Sequence, residues 1–451
     1  MRKLALSSAL CLLGVLAPAA HAVSWSAPAM VTPSPEGSRF SVAVNPRGEQ
    51  AFVWEVTRQV SPPPHYRQLT TVRARVRSAR GRFGPIQRLR RSTQGIWPDV
   101  AIARDGTAIA VWNRVFRGHL RIFAAVRRPG RRFGRPVQIG RTDKAQGGQP
   151  QVEFDRRGNA IVLWRWSDRL QWAFRARGHG FIAAHSIFVE KPSRRAATEE
   201  KFLTFDRRGT AYVAIASPGL RRRLPDGKFE TLVPRGIYLA ERRPRGRFGR
   251  PRRVSPAGEP GSQPRVAVAA DGTVLVIWRA APTPGTEELW GPIKAAAFAG
   301  GRVGTAQTLS VPAQHRGTEP LLQFTPAGEA VAVWHQFNEI ASPSQQVWQE
   351  IVASFRPAGV DFGAPVVLST AGIDAQRPAL AVTDGGEAVM LWEQQVGGAN
   401  AVVSVTRSMG TAFSPLQLVA PTAVSVVASA GRQIAVLLVT VSGAQVVSGT
   451  S

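Results

Sequence analysis

The chain contains many short apolar or alternating apolar–polar stretches, separated by turns, and these stretches predict β-strands. In the best-preserved stretches an apolar run follows a turn, as in Ala108 to Trp112, which reads Ala-Ile-Ala-Val-Trp. A run without polar alternation is typical of a strand that is covered on both faces. The stretch Val72 to Arg77 instead alternates apolar residues with arginine, so it predicts a strand with one solvated face.

These strands belong to an internal repeat of Pro, seven residues, Gly, five residues and Trp. A turn at the glycine separates a first strand, such as Asp99 to Ala103, from the apolar second strand. Complete copies occur at Pro98/Gly106/Trp112, Pro150/Gly158/Trp164, Pro264/Gly272/Trp278, Pro320/Gly328/Trp334 and Pro378/Gly386/Trp392. Weaker copies are Gly48 with Trp54, Gly209 with Ile215 and Gly431 with Leu437. The glycines recur about every 55 residues, a period typical of solenoids and propellers.

An aromatic-Gly-x-Pro phrase predicts an outermost fourth strand, whose free edge tolerates proline. It occurs as Phe83-Gly84-Pro85, Phe133-Gly134-Arg135-Pro136, Phe248-Gly249-Arg250-Pro251 and Phe362-Gly363-Ala364-Pro365. Four strands per unit predict an all-β fold, a β-propeller of four-stranded blades. We expect eight blades, closed by the N-terminal phrase Trp25-Ser26-Ala27-Pro28 pairing with a last strand at Ala444 to Val447. Seven blades is the alternative if the last unit, 424–451, serves only as a cap.

The N-terminal residues predict export. Residues 1–22 have a basic start, an apolar stretch from Leu4 to Leu16, and a small-residue cleavage site at Ala20-His21-Ala22, as in a secretory signal peptide. The remaining residues, 23–451, are predicted to form a single propeller domain that is secreted or associated with the cell envelope, without a membrane span. The lone cysteine, Cys11, lies in the signal, so no disulfide is expected.

The motif resembles the tandem repeats of uncharacterised secreted bacterial β-propeller proteins, which are grouped loosely with sialidase-like propellers. The residues that carry the resemblance are Asp105-Gly106 with Val111-Trp112, Gly328 with Val333-Trp334, and Asp155 to Gly158 with Leu163-Trp164. The resemblance implies the propeller architecture and no defined activity. A sialidase would be expected to carry an aromatic residue three positions after the turn glycine, whereas here the tryptophan comes six positions after it.

We recognise no catalytic or metal-binding motif in the sequence. We therefore name no catalytic residue and expect neither a metal ion nor a cofactor. A sialidase would need a tyrosine nucleophile beside an acid. We expect Tyr212 in an inner strand as part of the core, Tyr238 in a third strand, and Tyr66 in a loop with no clear partner near it. The histidines show no paired ligand spacing. We expect the repeat tryptophans to pack between blades, which leaves Trp97, Trp290 and Trp348 as sugar-stacking candidates.

A ligand site is predicted where the second strands end, because loops on one face of a propeller surround its central opening. The residue after each repeat tryptophan starts such a loop. The resulting candidate channel-mouth ring consists of Glu55, Asn113, Arg165, Arg279, His335 and Glu393. The alternative explanation is that these residues are polar only because each second strand ends at the solvent-exposed surface.

Charge indicates the class of partner. The net charge of the chain is +29. Residues 301–451 have a net charge of −3, so the basic charge lies in the first two thirds of the chain. Such a charge attracts polyanions, and the candidate polyanion-binding residues are Arg82, Arg128, Arg131, Arg132, Arg243, Arg245 and Arg247. A codon bias towards arginine is the competing explanation.

These observations lead to three functional hypotheses. The main one is a secreted non-enzymatic propeller, a monomer, that binds an anionic polymer or glycan of the cell envelope or extracellular matrix. The alternatives are a sialidase-like glycan-active enzyme, with Glu55 or Glu393 as acid or base, and a scaffold for a protein partner.

Overall fold

A computed structural model of the chain describes residues 23–33, 37–60, 68–92, 97–116, 119–141, 149–166, 169–187, 200–217, 220–223, 229–233, 236–281, 291–311, 317–338, 348–421, 424–440 and 443–450. They form an all-β, eight-bladed β-propeller of antiparallel four-stranded blades, as the repeat predicts. The signal-peptide prediction for residues 1–22 and the candidates Tyr66 and Trp290 lie outside the described residues. The described part holds no helix with the length and hydrophobicity needed to cross a bilayer.

The strands are numbered in chain order and fall into four sets. The first strands, nearest the axis, are β3 (Gly37–Val44), β7 (Asp99–Ile102), β11 (Gln151–Phe154), β15 (Glu200–Phe205), β21 (Gly261–Val268), β26 (Gly317–Phe324), β30 (Ala375–Val382) and β34 (Val424–Ala430). The second strands are β4 (Gln50–Gln59), β8 (Ala108–Phe116), β12 (Ala160–Trp166), β16 (Ala211–Ser217), β22 (Val274–Ala280), β27 (Ala330–Asn338), β31 (Ala388–Val396) and β35 (Gln433–Thr440).

The outer half of each blade is shorter and less regular. The third strands are β5 (Gln68–Arg77), β9 (His119–Arg127), β13 (Arg169–Arg175), β19 (Gly236–Arg242), β23 (Ile293–Ala299), β28 (Trp348–Arg356), β32 (Ala399–Arg407) and β36 (Gly443–Thr450). The outer strands are β6 (Gln87–Ser92), β10 (Val137–Arg141), β14 (His185–Ile187), β20 (Arg252–Arg253), β24 (Arg302–Val303) with β25 (Gln307–Thr308), β29 (Val366–Val367), β33 (Gln417–Ala420) and, in blade 8, β1 (Ser24–Trp25) with β2 (Ala29–Thr32). Blade 4 carries an extra hairpin, β17 (Leu220–Arg223) and β18 (Phe229–Val233).

The aromatic-Gly-x-Pro phrase lies just before the outer strand, so its predicted placement within that strand was wrong. Phe83 and Phe133 each form an isolated bridge, to Arg77 and Arg127 respectively. The outer strands of these two blades begin only after the phrase. Proline is tolerated there because the ladder has not yet started.

The repeat tryptophans pack between blades, as predicted. Trp54, Trp112, Trp164, Trp278, Trp334 and Trp392 are at most 1% exposed. Trp112 of blade 2 shares a cluster with Val72 and Leu89 of blade 1, and Trp334 of blade 6 shares one with Leu275 of blade 5. Each indole therefore fills the space between its own blade and the preceding one, which explains why the residue recurs once per repeat.

Arginines at the ends of third strands join neighbouring blades. Arg407 of blade 7 donates two hydrogen bonds of 3.0 Å to the carboxylate of Glu329 in blade 6, and both side chains are largely buried. Arg77 of blade 1 donates to the Ser448 hydroxyl of blade 8 at 2.6 Å. A share of the arginines is thus structural, because a buried guanidinium needs such partners.

The ring closes through the N-terminal strands, as predicted. The first strand of blade 1 contacts that of blade 8, and both β1 and β2 pair with β36. Ser24 lies opposite Thr450, and Ala29 lies opposite Val446. The outermost positions of blade 8 therefore come from the opposite end of the chain, which fixes the blade number at eight.

Gly443 tests this closure. Its φ of +133° suits glycine, and a Cβ atom there would collide with the Thr32 carbonyl oxygen of the closing strand. We expect Gly443→Ala to lower the free energy of unfolding by about 1–3 kcal/mol and to accelerate proteolysis of residues 23–33, measured by urea unfolding and limited digestion. Gly410→Ala is the matched control, since Gly410 also has positive φ but faces open space. Equal losses in both variants would show that backbone strain alone, and not the contact with the closing strand, matters.

Candidate functional site

The predicted channel-mouth residues lie beside the first strands, at the ends where those strands begin. Glu55 is 4% exposed, forms an ion pair with Arg39 at 3.0 Å and accepts a 3.1 Å hydrogen bond from the Ser38 hydroxyl. Glu393 is similarly buried, and Arg377 donates to both of its oxygens at 3.1 and 3.0 Å. The two carboxylates are thus held in ion pairs with arginines of the first strands.

The other members of the ring are also engaged with neighbours. The Arg279 Nε donates to the Ser262 hydroxyl at 2.8 Å, and the Asn113 side chain accepts the backbone N–H of Trp97 at 2.9 Å. His335 is buried, and burial lowers its pKa to about 4, so it is neutral at physiological pH. Arg165 is partly exposed. These six residues share one end of the ring, and their role as ligands stays a prediction.

Backbone strain is concentrated at the same end. Arg39, Gln263, Glu319 and Arg377 have φ between +46° and +55°, although none is glycine. They occupy one equivalent position, directly before Phe40 or the repeat proline, and the strand register shifts there in blades 1, 5, 6 and 7. Such conformations cost about 1–3 kcal/mol each and occur often at functional sites.

A second group of titratable side chains lies nearer the axis, on the first strands of blades 2, 3 and 4. Asp99 accepts hydrogen bonds from the Ser41 hydroxyl at 2.8 Å and from the backbone N–H of Val152 at 2.9 Å. Lys201 donates to the Gln149 carbonyl at 2.6 Å. Glu153 lies on the strand between them. Each of the three is partly exposed, and protein atoms surround all three closely.

The protonation states of this group are perturbed. Burial, together with the nearby charge of Asp99, raises the pKa of Glu153 to about 8. Burial also raises the pKa of Asp99, against the hydrogen bonds from Val152 and Ser41 and the charge of Lys201. The pKa of Lys201 falls to about 8, chiefly through burial. Glu153 therefore holds a proton at pH 7, which makes it able to act as a general acid.

Glu153 faces a cavity at the axis. The cavity has a volume of about 270 Å³ and is bordered by the first strands of blades 3 to 7 and the turns that follow them. Its polar lining residues are Glu153, Arg156, Thr204, Asp206, Arg207, Thr325, Thr383 and Asp384. A carboxylic acid, two further carboxyl groups and two guanidinium groups thus surround a space large enough for about one sugar unit. It lies towards the end of the axis opposite the predicted channel-mouth ring.

Sequence reasoning missed Glu153, although the repeat contains a signal for it. The strand register aligns Glu153 with Ala43, Ala101, Ala267 and Ala381 in other blades. Alanine thus occupies this position in half of the blades, and blades 4 and 6 carry the uncharged Thr204 and Gln323 there. The departure to an ionisable side chain next to the axis marks the site, and it becomes visible only when blades are compared position by position.

The predicted polyanion-binding arginines are all exposed, on turns between third and fourth strands. They are Arg82, Arg128, Arg131, Arg132, Arg243, Arg245 and Arg247. Arg243 forms a 3.4 Å ion pair with Glu241. These turns lie at the rim of the ring, away from the axial cavity.

Tyr212 and Tyr238 are 8% and 6% exposed, in second and third strands respectively, as predicted. Burial raises the pKa of Tyr212 to about 12, which opposes a role as a nucleophile. Trp97 is 40% exposed, with the Arg39 guanidinium 3.9 Å from its ring centroid, so one ring face is covered. Among the residues that the structure describes, no three His, Cys, Asp or Glu side chains are grouped so as to hold a metal ion.

Comparison with known proteins gives structural neighbours only. No protein-family model and no curated protein sequence matches the chain. An α-L-arabinanase of Penicillium chrysogenum, solved with arabinobiose, has 10% identity and a TM-score of 0.41 over 95% of this chain and 98% of its own. The GH93 α-L-arabinofuranosidase of Fusarium graminearum has 12% identity and a TM-score of 0.42 over 85% and 98%. The polysaccharide lyase Uly1 has 10% identity and a TM-score of 0.43 over 86% and 91%.

Two of the sequence-based predictions change with these comparisons. The non-enzymatic binder is contradicted, because the neighbours named above are glycan-active enzymes. The grouping with sialidase-like propellers is not confirmed. At this level of identity the likeness concerns the fold and transfers no residue, so any catalytic assignment has to come from the geometry of this chain.

Proposed function

We propose that the protein is a glycan-active enzyme that cleaves glycosidic bonds in the axial cavity, with Glu153 as the general acid. The observation that carries the proposal is a carboxyl group that is protonated at neutral pH and borders a polar cavity of about 270 Å³. Glycoside hydrolysis generally uses two carboxyl groups, one of which must hold a proton at the working pH. Burial and a neighbouring carboxylate are the means by which proteins keep it there.

In this mechanism Glu153 donates its proton to the oxygen of the leaving sugar as the glycosidic bond breaks. The second carboxylate is supplied by Asp206 or Asp384, which border the same cavity. It activates a water molecule or attacks the sugar carbon directly. Asp99 helps to keep Glu153 protonated, because its negative charge disfavours ionisation of the Glu153 carboxyl group. Arg156 and Arg207 are placed to bind sugar hydroxyl or carboxylate oxygens.

The test is a panel of polysaccharides that includes arabinan, with aryl α-L-arabinofuranoside as a small substrate. Release of reducing ends shows cleavage, and the absence of an unsaturated product separates hydrolysis from a lyase reaction. A chain that cleaves no member of a broad panel contradicts the proposal. Arabinan is included because of the neighbours' substrates, and the cavity itself does not select it.

The pH dependence follows from Glu153. A general acid works only in its protonated form, so activity is present below its pKa and is lost as pH rises through that value. We expect kcat/KM to fall above about pH 8, about tenfold per unit. A pH profile of initial rates between pH 5 and about 10 measures this. An alkaline limb near pH 5 would assign the acid to an unperturbed carboxyl group instead.

Several further features belong to the proposal. We place the protein outside the cytoplasm, on the basis of the signal-like residues 1–22, with residues 23–451 as one domain that acts as a monomer. The channel-mouth ring is a candidate second contact for a glycan, supported by the strained backbone at Arg39 and Arg377. The basic charge supports an anionic polymer as partner.

A further inference from the structure

A groove at the rim of the ring gathers arginines where blades 1 and 2 meet. We call it the blade 1–2 groove. Its volume is about 410 Å³, and its charged lining residues are Arg75, Arg82, Arg127, Arg131 and Arg132. Neither aspartate nor glutamate is among the described residues that line it. The groove is therefore a concentrated patch of positive charge, which attracts oxyanions.

The five arginines divide into two groups. Arg75 and Arg127 bind backbone carbonyl oxygens: Arg75 donates to Gly84 and Val31 at 2.8 and 2.7 Å, and Arg127 donates to Gly106 at 2.7 Å. They fix the walls of the groove.

The other three, Arg82, Arg131 and Arg132, are exposed, and within the described part of the chain their side chains make no hydrogen bond or ion pair. Their guanidinium groups are available for bidentate contacts with sulfate, phosphate or carboxylate oxygens.

Packing between blades does not require these arginines. The Gln87 side chain bridges to the backbone of Phe133 across the groove, donating to its carbonyl at 2.7 Å and accepting its N–H at 3.0 Å. The same contact joins blades 5 and 6, where Gln307 binds the backbone of Phe362 at 2.8 and 2.9 Å. There, the positions of Arg131 and Arg132 are taken by Val360 and Asp361. The chain thus contains the same junction without positive charge at these two positions.

The aromatic residues of the groove argue against nucleic acid as the ligand. Single-stranded nucleic acids bind through bases stacked on open aromatic faces. The Phe83 ring has the Arg75 and Arg77 guanidinium groups 4.5 and 5.5 Å from its centroid, and Phe133 is 5% exposed. Among the described residues of the groove, one ring is thus buried and the other is in contact with arginines, which favours oxyanion contacts over base stacking.

A related groove lies at the equivalent position between blades 4 and 5, but its positive charge is partly neutralised by a glutamate. It holds about 880 Å³ and is lined by Arg243, Arg247, Arg250, Arg252 and Arg253, together with Glu241. The ion pair of Arg243 with Glu241 offsets part of its charge. We therefore expect this groove to contribute less to anion binding.

We propose that the blade 1–2 groove is a binding site for an acidic polysaccharide, in which Arg82, Arg131 and Arg132 contact its sulfate or carboxylate groups. The site lies at the rim, far from the axis in each blade, and is separate from the cavity that contains Glu153. It would hold a charged polymer on the molecule whether or not the axial cavity cleaves it.

Binding of the full protein to dextran sulfate, polygalacturonate, neutral dextran and oligo-dT tests the proposal. We expect the triple variant Arg82→Ser, Arg131→Ser and Arg132→Ser to weaken binding to dextran sulfate or polygalacturonate about tenfold, since three exposed ionic contacts are lost. The slope of log Kd against log salt should fall by about 2. The first two ligands separate a sulfate from a carboxylate preference.

The matched control is the triple variant Arg104→Ser, Arg157→Ser and Arg208→Ser, which removes the same charge from exposed turns outside the groove. We expect it to bind within about twofold of the wild type, because it leaves the groove intact. Both variants should keep the melting temperature, as the replaced side chains are exposed. Equal weakening in both triple variants would show a general charge effect and overturn the site.

Unchanged binding in the groove variant would overturn the site as well. Tighter binding of oligo-dT, or equal binding of neutral dextran, would overturn the ligand class. Because the readout is binding, it is independent of hydrolysis in the axial cavity, and failure of one proposal leaves the other standing.

Discussion

Glu153→Gln is expected to reduce glycan cleavage at pH 7 by about 10²- to 10⁴-fold, the usual contribution of a general acid. The amide has nearly the shape of the protonated carboxyl group but cannot transfer a proton to the leaving oxygen. Because Glu153 is already neutral at this pH, the substitution removes little charge. The measurement is kcat/KM on the best polysaccharide of the panel.

The chain itself indicates that this variant folds. Blade 6 carries Gln323 at the position of Glu153, where its side chain donates to the Leu380 carbonyl of blade 7 at 3.0 Å. Four other blades have alanine there. We therefore expect the melting temperature of Glu153→Gln to equal or exceed that of the wild type. Loss of activity with lost stability would point to a structural role and would count against Glu153 as the acid.

Asp361→Asn is a suitable control, because Asp361 is an exposed carboxylate on a rim turn remote from the cavity. Activity should stay within about twofold of the wild type. Full activity in Glu153→Gln would place the chemistry elsewhere, with the channel-mouth ring as the next region to test.

Trp334→Ala is expected to lower the free energy of unfolding by about 3–5 kcal/mol, the range for removing a buried large aromatic residue. The indole is fully buried between blades 5 and 6 and donates to the Gln336 side chain at 3.2 Å. Its loss leaves a cavity at the junction and removes this hydrogen bond. Equilibrium unfolding in urea measures the change.

Trp97→Ala is the control, since this indole is 40% exposed and lies outside the repeat position. We expect it to cost less than about 1 kcal/mol, chiefly through the lost contact with Arg39. Similar costs in the two variants would contradict the assignment of the repeat tryptophans as the packing element between blades.

The architecture could be predicted from sequence because each blade repeats the same local solution. A glycine turn and a buried tryptophan are needed once per blade, so their spacing reports the blade itself. The site could not be predicted in the same way. Glu153 owes its protonated state to enclosure by neighbouring strands and to Asp99, which lies 54 positions earlier in the chain, and no spacing rule records such a contact.

The roles of the arginines also could not be predicted from the sequence. Sequence alone gives Arg82 and Arg407 the same weight as positive charge. In the structure Arg407 is largely buried against Glu329, whereas Arg82 is exposed beside a groove. Whether an arginine stabilises the ring or faces a ligand depends on the adjacent blade, which composition does not reveal.

Pairing of the first strands with the last one constrains the order of folding. During synthesis, Ser24 emerges long before its partner Thr450, so the edge that becomes the outside of blade 8 has to wait unpaired until the final residues arrive. Blades 1 to 7 can assemble in sequence, each on its predecessor, but the ring closes only when the N-terminal strands pair with the last strand. Contacts this distant in sequence are slow to form, and the exposed strand edges of the open ring invite association between chains. Production of the protein should therefore depend strongly on chaperones that shield the unfinished ring.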